Sequence, residues 1–446
     1  MLLKKINDQS AIIGVVGLGY VGLPIAVGFG KIGYSIIGMD LSSEKIEQLR
    51  VGHSYIPDVS TADINKLVQT NRFTASMDTK PLAEADIIFI SVPTPFDAQK
   101  SPDLTFVRSA VENIATILRP RQLIILQSTT YPGTTKEVVL PILAQTGLTV
   151  GEDFHLAFSP ERIDPGQVGS AGFDIYNTPK VVGGMTPKCT ELAATILAKL
   201  TPLIHKVSSP AIAEMSKLLE NTFRSVNIAL VNELAVLCER MGLDVWEIIE
   251  AAKTKPYGYM PFYPGPGVGG HCIPVDPYYL SWKAREYDFH TKFIEIAAEV
   301  NSEMPYFTVE KITKILNEQG KPLRKSHILI IGVAFKRDID DARNSPAQRV
   351  IELLVKAQAF VTYHDPYVKT FQVGHNVFLE KKHMIENIPL TVENIKSADC
   401  TVIITGHSNI NYQRLANHSL ILLDTVNVTK KLYVEGENII RLGGSH

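Results

Sequence analysis

The chain has 446 residues, too many for one ordinary core, so two or three domains are expected. Its formal net charge is −2, with lysines and arginines scattered and not blocked, which excludes the footprint of a nucleic-acid or anionic-membrane binder and leaves small ligands as the expected partners. Cys189, Cys238, Cys272 and Cys400 lie far apart, form no CxxC pair and have no histidine cluster nearby except His271, so no metal and no disulfide framework is expected, as suits a reducing cytoplasm.

Ala11 to Val16 reads as a strand, followed by Gly17-Leu18-Gly19-Tyr20-Val21-Gly22 and a helical stretch through Gly30. The many glycines, Pro24 and Lys31 argue against a membrane span or signal peptide in this apolar segment. Strand, GxGxxG and helix in that order suit a dinucleotide. Gly17 permits the tight turn, Gly19 lets a pyrophosphate reach the backbone, and Gly22 lets helix pack on strand, with Val21 in the loop that meets the phosphate at the helix N-terminus. A second strand, Ser35 to Met39, ends at Asp40, whose carboxylate would accept hydrogen bonds from the adenosine ribose. That carboxylate would repel a 2′-phosphate, and Leu41-Ser42-Ser43 offer no arginine to hold one, so NAD is favoured over NADP.

Asp86 to Val92 and Leu123 to Gln127 read as further strands, running into Pro93-Thr94-Pro95 and Ser128-Thr129-Thr130. Ligands of a doubly wound sheet bind beyond the carboxyl ends of its strands, so Thr94 and Thr129 are candidates for the cofactor rim, although ordinary turn chemistry also places threonine there. His155 to Phe158 leads into Ser159-Pro160-Glu161-Arg162, where Glu161 fits either a base or a solvated rim charge.

Ala211 to Met241 lacks glycine and proline and carries Met215, Leu218, Phe223, Val226, Leu230, Leu234 and Leu237 at helical spacing. The pattern predicts one helix of about thirty residues, long enough to span between domains or to pack on its copy in a dimer. Lys217 and Asn221 share one face of it and can donate to an oxygen that turns negative; a solvated face is the alternative. Asp244 and Glu247 form a capping box for a helix from Val245 to Ala252.

Pro264-Gly265-Pro266-Gly267-Val268-Gly269-Gly270-His271-Cys272-Ile273-Pro274-Val275-Asp276-Pro277 is a glycine-rich loop running into a helix start. Its glycines allow a close approach to a ligand, and Pro274 and Pro277 are tolerable only in a first helical turn. Cys272 beside the positive end of that helix would have the raised thiolate fraction a nucleophile needs; the alternative is a buried thiol beside a flexible loop.

After a helical region from Lys292 to Leu316, Ser326 to Ile331 reads as a strand. The stretch 332–346 then leads into an apolar helix through Val355, and Phe360 to His364 forms a strand ending at Asp365. This second strand, turn and helix lacks GxGxxG; Lys336 and Arg343 suit a diphosphate-bearing ligand, unless Asp338, Asp340 and Asp341 merely neutralise them at the surface.

Together these segments resemble the UDP-glucose/GDP-mannose dehydrogenase family over nearly the whole chain. Gly17 to Pro24 resembles its cofactor loop, Lys217 to Asn221 its helical donor pair, Gly269 to Asp276 its nucleophile loop and Gly332 to Pro346 its nucleotide-sugar signature. Residues 255–263, His271 and residues 273–282 are most similar to the UDP-N-acetylglucosamine 6-dehydrogenase branch, whereas the UDP-glucose branch has serine before the cysteine. The resemblance implies an α/β fold of two Rossmann-like doubly wound domains joined by a long central helix. Residues 1–205 would bind NAD, 206–318 would form the central dimerisation and catalytic-loop region, and 319–446 would bind the UDP-sugar.

It also implies a cytoplasmic homodimer that oxidises the C6 alcohol of a UDP-N-acetylhexosamine to the uronate, for surface polysaccharide synthesis. Cys272 would form a thiohemiacetal and then a thioester, Lys217 and Asn221 would stabilise oxyanions, and Asp276 would order water or assist protonation. Thr129 and Glu161 would position water and handle protons in hydrolysis. Lys45 and Arg343 would join Gly17, Gly19, Val21, Gly22, Asp40, Thr94 and Thr129 at the cofactor. Lys336 would bind the nucleotide-sugar with Glu161, Arg162, Lys217, Asn221, Tyr263, Gly269 and Phe335. UDP-glucose, UDP-GalNAc and UDP-ManNAc remain alternative substrates, and a two-electron hydroxyacid dehydrogenase or a non-catalytic nucleotide-sugar sensor are alternative functions.

Overall fold

Ile87–Ile90 and Leu123–Leu126 contain no polar residue and are buried along their whole length. Such strands belong inside a parallel sheet covered on both faces. In the computed structural model, which describes residues 1–97, 101–163, 173–270, 273 and 276–444, they are β4 and β5 of an eight-stranded sheet. Its other strands are β1 (Ile12–Val16), β2 (Ser35–Met39), β3 (Phe73–Ser76), β6 (His155–Phe158), β7 (Lys180–Gly184) and β8 (Ile204–Val207). The order is β3-β2-β1-β4-β5-β6-β7-β8, and the β6–β7 pairing is antiparallel while the others are parallel. Strand order reverses between β1 and β4, the point where a doubly wound sheet opens its ligand crevice.

A second sheet has the order β11-β12-β10-β9-β13-β14-β15. Its strands are β9 (His327–Ile331), β10 (Phe360–His364), β11 (Phe371–Val373), β12 (His383–Asn387), β13 (Cys400–Ile403), β14 (Leu422–Asp424) and β15 (Ile439–Arg441). All pair in parallel except β11 with β12, and the switch point lies between β9 and β13. Each sheet has its own buried apolar cluster.

The chain divides into two compact units, Met1–Glu220 with Tyr278–Phe289, and Asn221–Pro277 with His290–His446. The helix Pro210–Met241 is continuous, as its periodicity predicts, and runs from the first unit into the second. Asp244 caps the following helix, Val245–Lys253, by accepting from the amides of Trp246 (2.9 Å) and Glu247 (3.4 Å). Among the described residues no helix is long and apolar enough to cross a membrane.

Candidate active site

In the first unit, the turn after β1 is fixed by two glycines and left open at a third. Gly17 has φ +89°, and a Cβ there would lie 2.5 Å from the carbonyl oxygen of Ser91; a Cβ on Gly22 would lie 1.8 Å from that of Gly17. Any side chain at either position would break the packing of loop, strand and helix. Around Gly19, by contrast, a Cβ would meet nothing within 4 Å. The helix Gly22–Lys31 starts at Val21 without a side-chain cap, so its positive end is not occupied by a capping side chain. A glycine with open space beside an uncapped helix start fits the pyrophosphate of NAD.

Asp40 closes this turn from the end of β2. Its Oδ2 accepts from Leu18 N (2.9 Å) and Lys45 Nζ (3.1 Å), and its Oδ1 from Ser42 N (3.0 Å). The expected ribose acceptor and the expected cofactor lysine are thus one ion pair, with acceptor capacity left on the carboxylate. Thr94 Oγ1 donates to the carbonyl of Thr129 at 2.7 Å, joining the turns after β4 and β5. A residue that sequence reasoning missed underpins them: the buried Tyr279, whose hydroxyl donates to the carbonyls of Thr94 and, at 2.9 Å, Pro95. It sits on the helix Asp276–Ala284, whose first turn contains Pro277.

One residue beyond the paired ends of β1, β4, β5 and β6, the register aligns Gly17, Ser91, Gln127 and Ser159. Ser91 Oγ donates to Gln127 Oε1 (3.1 Å), while Gln127 Nε2, Ser159 Oγ and the nearby Thr130 Oγ1 are buried with no partner among the described residues. Buried polar groups are nearly always satisfied, so these atoms mark where ordered water or ligand belongs at the strand ends.

Glu161 is neither exposed nor a rim charge. The β6–β7 register, with Phe158 opposite Gly183, places it opposite Lys180 when continued. Lys180 Nζ, wholly buried, lies 2.8 and 2.7 Å from its two carboxylate oxygens. The amides of Arg162 (2.7 Å) and Ile163 (3.0 Å) donate to Oε1. Burial pushes the Glu161 carboxyl up, but Lys180 and these amides outweigh it and leave it below its ordinary value. Arg162 pairs with Glu220 at 2.7 Å. Lys217 is buried on the long helix. Three residues earlier on that helix, Glu214 accepts from the amides of Gly133 (2.6 Å) and Thr135 (2.8 Å) and from Thr135 Oγ1 (2.6 Å), and burial raises its carboxyl.

In the second unit, Asn221 Nδ2 donates to Asp276 Oδ2, both residues being buried. Asn232, another residue not anticipated, accepts from Gly265 N (3.0 Å) and donates to Asn301 (2.9 Å), tying the start of the glycine loop to the long helix. At its other end the loop sits on the turn after β9. A Cβ on Gly269 would lie 2.9 Å from Phe335 Cβ, and Asn344 Nδ2 donates to the carbonyl of Gly270 at 3.2 Å. His271, Cys272, Pro274 and Val275 lie outside the described residues. Lys336 is half-buried in the same turn, whereas Arg343 is exposed and paired with Asp341 at 2.6 Å. Tyr263 donates to Glu250 (2.7 Å) and stacks on Trp246, with Lys431 Nζ 4.9 Å from its ring centre.

Comparison with known proteins matches three domains of one family: its NAD binding domain over residues 11–201, its central domain over 211–303 and its UDP binding domain over 329–431. A UDP-N-acetyl-D-glucosamine 6-dehydrogenase of Pseudomonas aeruginosa is 37% identical over 365 residues, covering 81% of this chain and 84% of that one. A UDP-N-acetyl-D-mannosamine dehydrogenase of Pyrococcus horikoshii is 33% identical over 434 residues, 96% of each. The solved structure of the UDP-D-ManNAc dehydrogenase from Pyrococcus horikoshii superposes with TM-score 0.85 at 30% identity, covering 97% of this chain and 99% of that one. With NAD binding, central and UDP binding domains in the family's order, the chain belongs to the UDP-glucose/GDP-mannose dehydrogenase family and is an NAD-dependent nucleotide-sugar dehydrogenase.

Proposed function

We propose that the protein oxidises the C6 alcohol of a UDP-N-acetylhexosamine, foremost UDP-N-acetylglucosamine, to the uronate through covalent chemistry at Cys272. The observation that carries this reading is the seating of the glycine loop leading to Cys272 on Phe335 and Asn344, within the turn expected to hold the nucleotide-sugar. The 37% identity to a UDP-N-acetyl-D-glucosamine 6-dehydrogenase and the residues around Cys272 support an N-acetylated sugar over UDP-glucose.

Gly17, Gly19, Val21, Gly22, Asp40, Lys45, Thr94, Thr129 and Arg343 would hold NAD, which when bound would supply the hydride acceptor for oxidation at C6. The Cys272 thiolate adds to the aldehyde carbon and makes a second hydride available there. Lys217 and Asn221 donate to the resulting oxyanion, Asn221 being oriented by Asp276. Asp276 orders water beside the sulfur. Glu161, kept ionised by Lys180, works with Thr129 as an acceptor that orients the water hydrolysing the thioester. Lys336, Arg162, Tyr263, Gly269 and Phe335 complete the nucleotide-sugar contacts. We further propose a cytoplasmic homodimer built on the long helix and supplying surface polysaccharide precursors.

A panel of UDP-sugars with NAD tests the reading. The N-acetylglucosamine substrate should give the uronate and two NADH per sugar; one NADH would indicate a two-electron enzyme, and comparable kcat/KM with UDP-glucose would contradict the substrate assignment. Cys272→Ser should bind both ligands yet lose several orders of magnitude in turnover, because a serine hydroxyl is barely ionised near neutral pH.

A further inference from the structure

We propose that His407 is a positioning residue for the nucleotide-sugar turn, its neutral imidazole bridging Asp365 and the backbone amide of Asp338. The inference rests on the reading above that the turn after β9 holds the nucleotide.

The geometry follows from strand order. β9 has β10 on one side, with Ile331 beside His364, and β13 on the other, with Ile331 beside Ile403. The turns leaving these three strands therefore lie side by side at the switch point. Asp365, at the end of β10, is the counterpart of Asp40 in the first unit, but nothing of it is left for a ribose. Its Oδ2 accepts from Val333 N (2.7 Å), Ala334 N (3.0 Å) and His407 Nε2 (3.0 Å), and its Oδ1 from Tyr367 N and Val368 N (both 2.9 Å). Burial pushes this carboxyl up, but His407 and the amides hold it at about 2.

His407, wholly buried, receives the amide of Asp338 on Nδ1 at 2.9 Å. A backbone amide only donates, so Nδ1 is bare and the ring proton lies on Nε2, facing Asp365: one neutral tautomer. Asp338 has a left-handed φ of +61°, a conformation aspartate adopts where local hydrogen bonds hold it. Its carboxylate accepts from Ser408 N and Ser408 Oγ, each at 2.7 Å. Thr405 Oγ1 donates to the carbonyl of Ala334 at 2.6 Å. The turn after β13 thus grips Ala334 and Asp338, and Phe335 and Lys336 lie between those two anchors. Being fully enclosed, His407 touches no ligand itself.

The test uses the full chain with uridine diphosphate as probe, comparing H407N and H407Q. Asparagine sets its amide oxygen near the place of Nδ1 and keeps the acceptor for Asp338 N; glutamine sets its amide nitrogen near the place of Nε2 and keeps only the donor to Asp365. Calorimetry should show UDP binding weakened about tenfold in H407Q and within about twofold of native in H407N, the size of one lost buried hydrogen bond. KM for the UDP-sugar should follow, with kcat at saturation and NADH affinity unchanged. Unaltered UDP affinity in H407Q overturns the inference, as does equal loss in both variants together with NADH affinity, which is general destabilisation. If H407Q does not fold, S408A supplies the same readout with an expected loss of about threefold; no loss there overturns the inference. Native protein that binds no UDP would overturn the reading of the turn as well.

Discussion

Glu161 shows how one burial decides a role. A carboxylate against a wholly buried ammonium, with two amides on the same oxygen, is an acceptor and not a proton donor at neutral pH. Lys180→Met would strand that carboxylate in the interior, and removing one member of a buried pair costs about 3–5 kcal/mol; Lys180→Arg should retain most of it. The pH dependence distinguishes the two forms. In the native chain the depressed carboxyl contributes stability that is complete above its unfolded value of 4.5 and is lost as pH falls through the lower folded value. In Lys180→Met, burial without a partner raises the folded value instead, so its deficit should be largest near pH 7 and shrink below about pH 5. Thermal melts of both proteins at several pH values measure this; a deficit that does not change with pH would show that Lys180 acts by packing alone.

At the scale of the element, the long helix carries apolar residues on two sides, one buried and one exposed. Of Met215, Leu218, Phe223, Val226, Leu230, Leu234 and Leu237, whose spacing predicts a helix that spans between domains or packs on its copy, Leu218 is buried, Val226 and Leu234 are half-buried and the other four are exposed. The enclosed side carries Glu214, Lys217, Asn221, Ser225 and Asn232 beside Leu218, Val231, Ala235 and Cys238, the last three packing on Trp246 and Ile249, while a row of larger apolar side chains faces outward. Leu230 is 54% and Leu219 62% exposed. A continuous exposed stripe of this kind marks an association surface, which supports the proposed homodimer. Native protein should scatter light as a dimer at micromolar concentration. Leu230→Glu, which puts a charge where a leucine's burial contributes about 1.5–3 kcal/mol per copy, should shift it to monomer; a native monomer would rule out this contact.

At the scale of the whole molecule, the two sheets repeat one device: an aspartate at the end of the strand beside the first, Asp40 or Asp365, holds the amides of the turn after β1 or β9. In the first unit the carboxylate keeps room for a ligand, and in the second it is consumed by His407. Hydrogen exchange should read this division. NAD should slow exchange at the amides around Leu18 and Gly19, and UDP at those of Ala334 to Asp338; protection by UDP at Gly19 would contradict the assignment of ligands to units. Local signals were enough for part of this. The run of strand, GxGxxG and helix, the strand Ser35–Met39 ending at Asp40, and the long glycine-free helix are each written in neighbouring residues, because turn sterics and side-chain periodicity act over a few positions. By itself, then, the sequence determined these elements, the cofactor turn and the candidate chemistry. Only the tertiary structure decided that Lys180 neutralises Glu161, that Tyr279 braces Thr94, that Asn232 anchors Gly265 and that His407 joins Asp365 to Asp338. Each of those pairs is far apart in the chain, and strand order and crossovers, which no local pattern encodes, bring its members together.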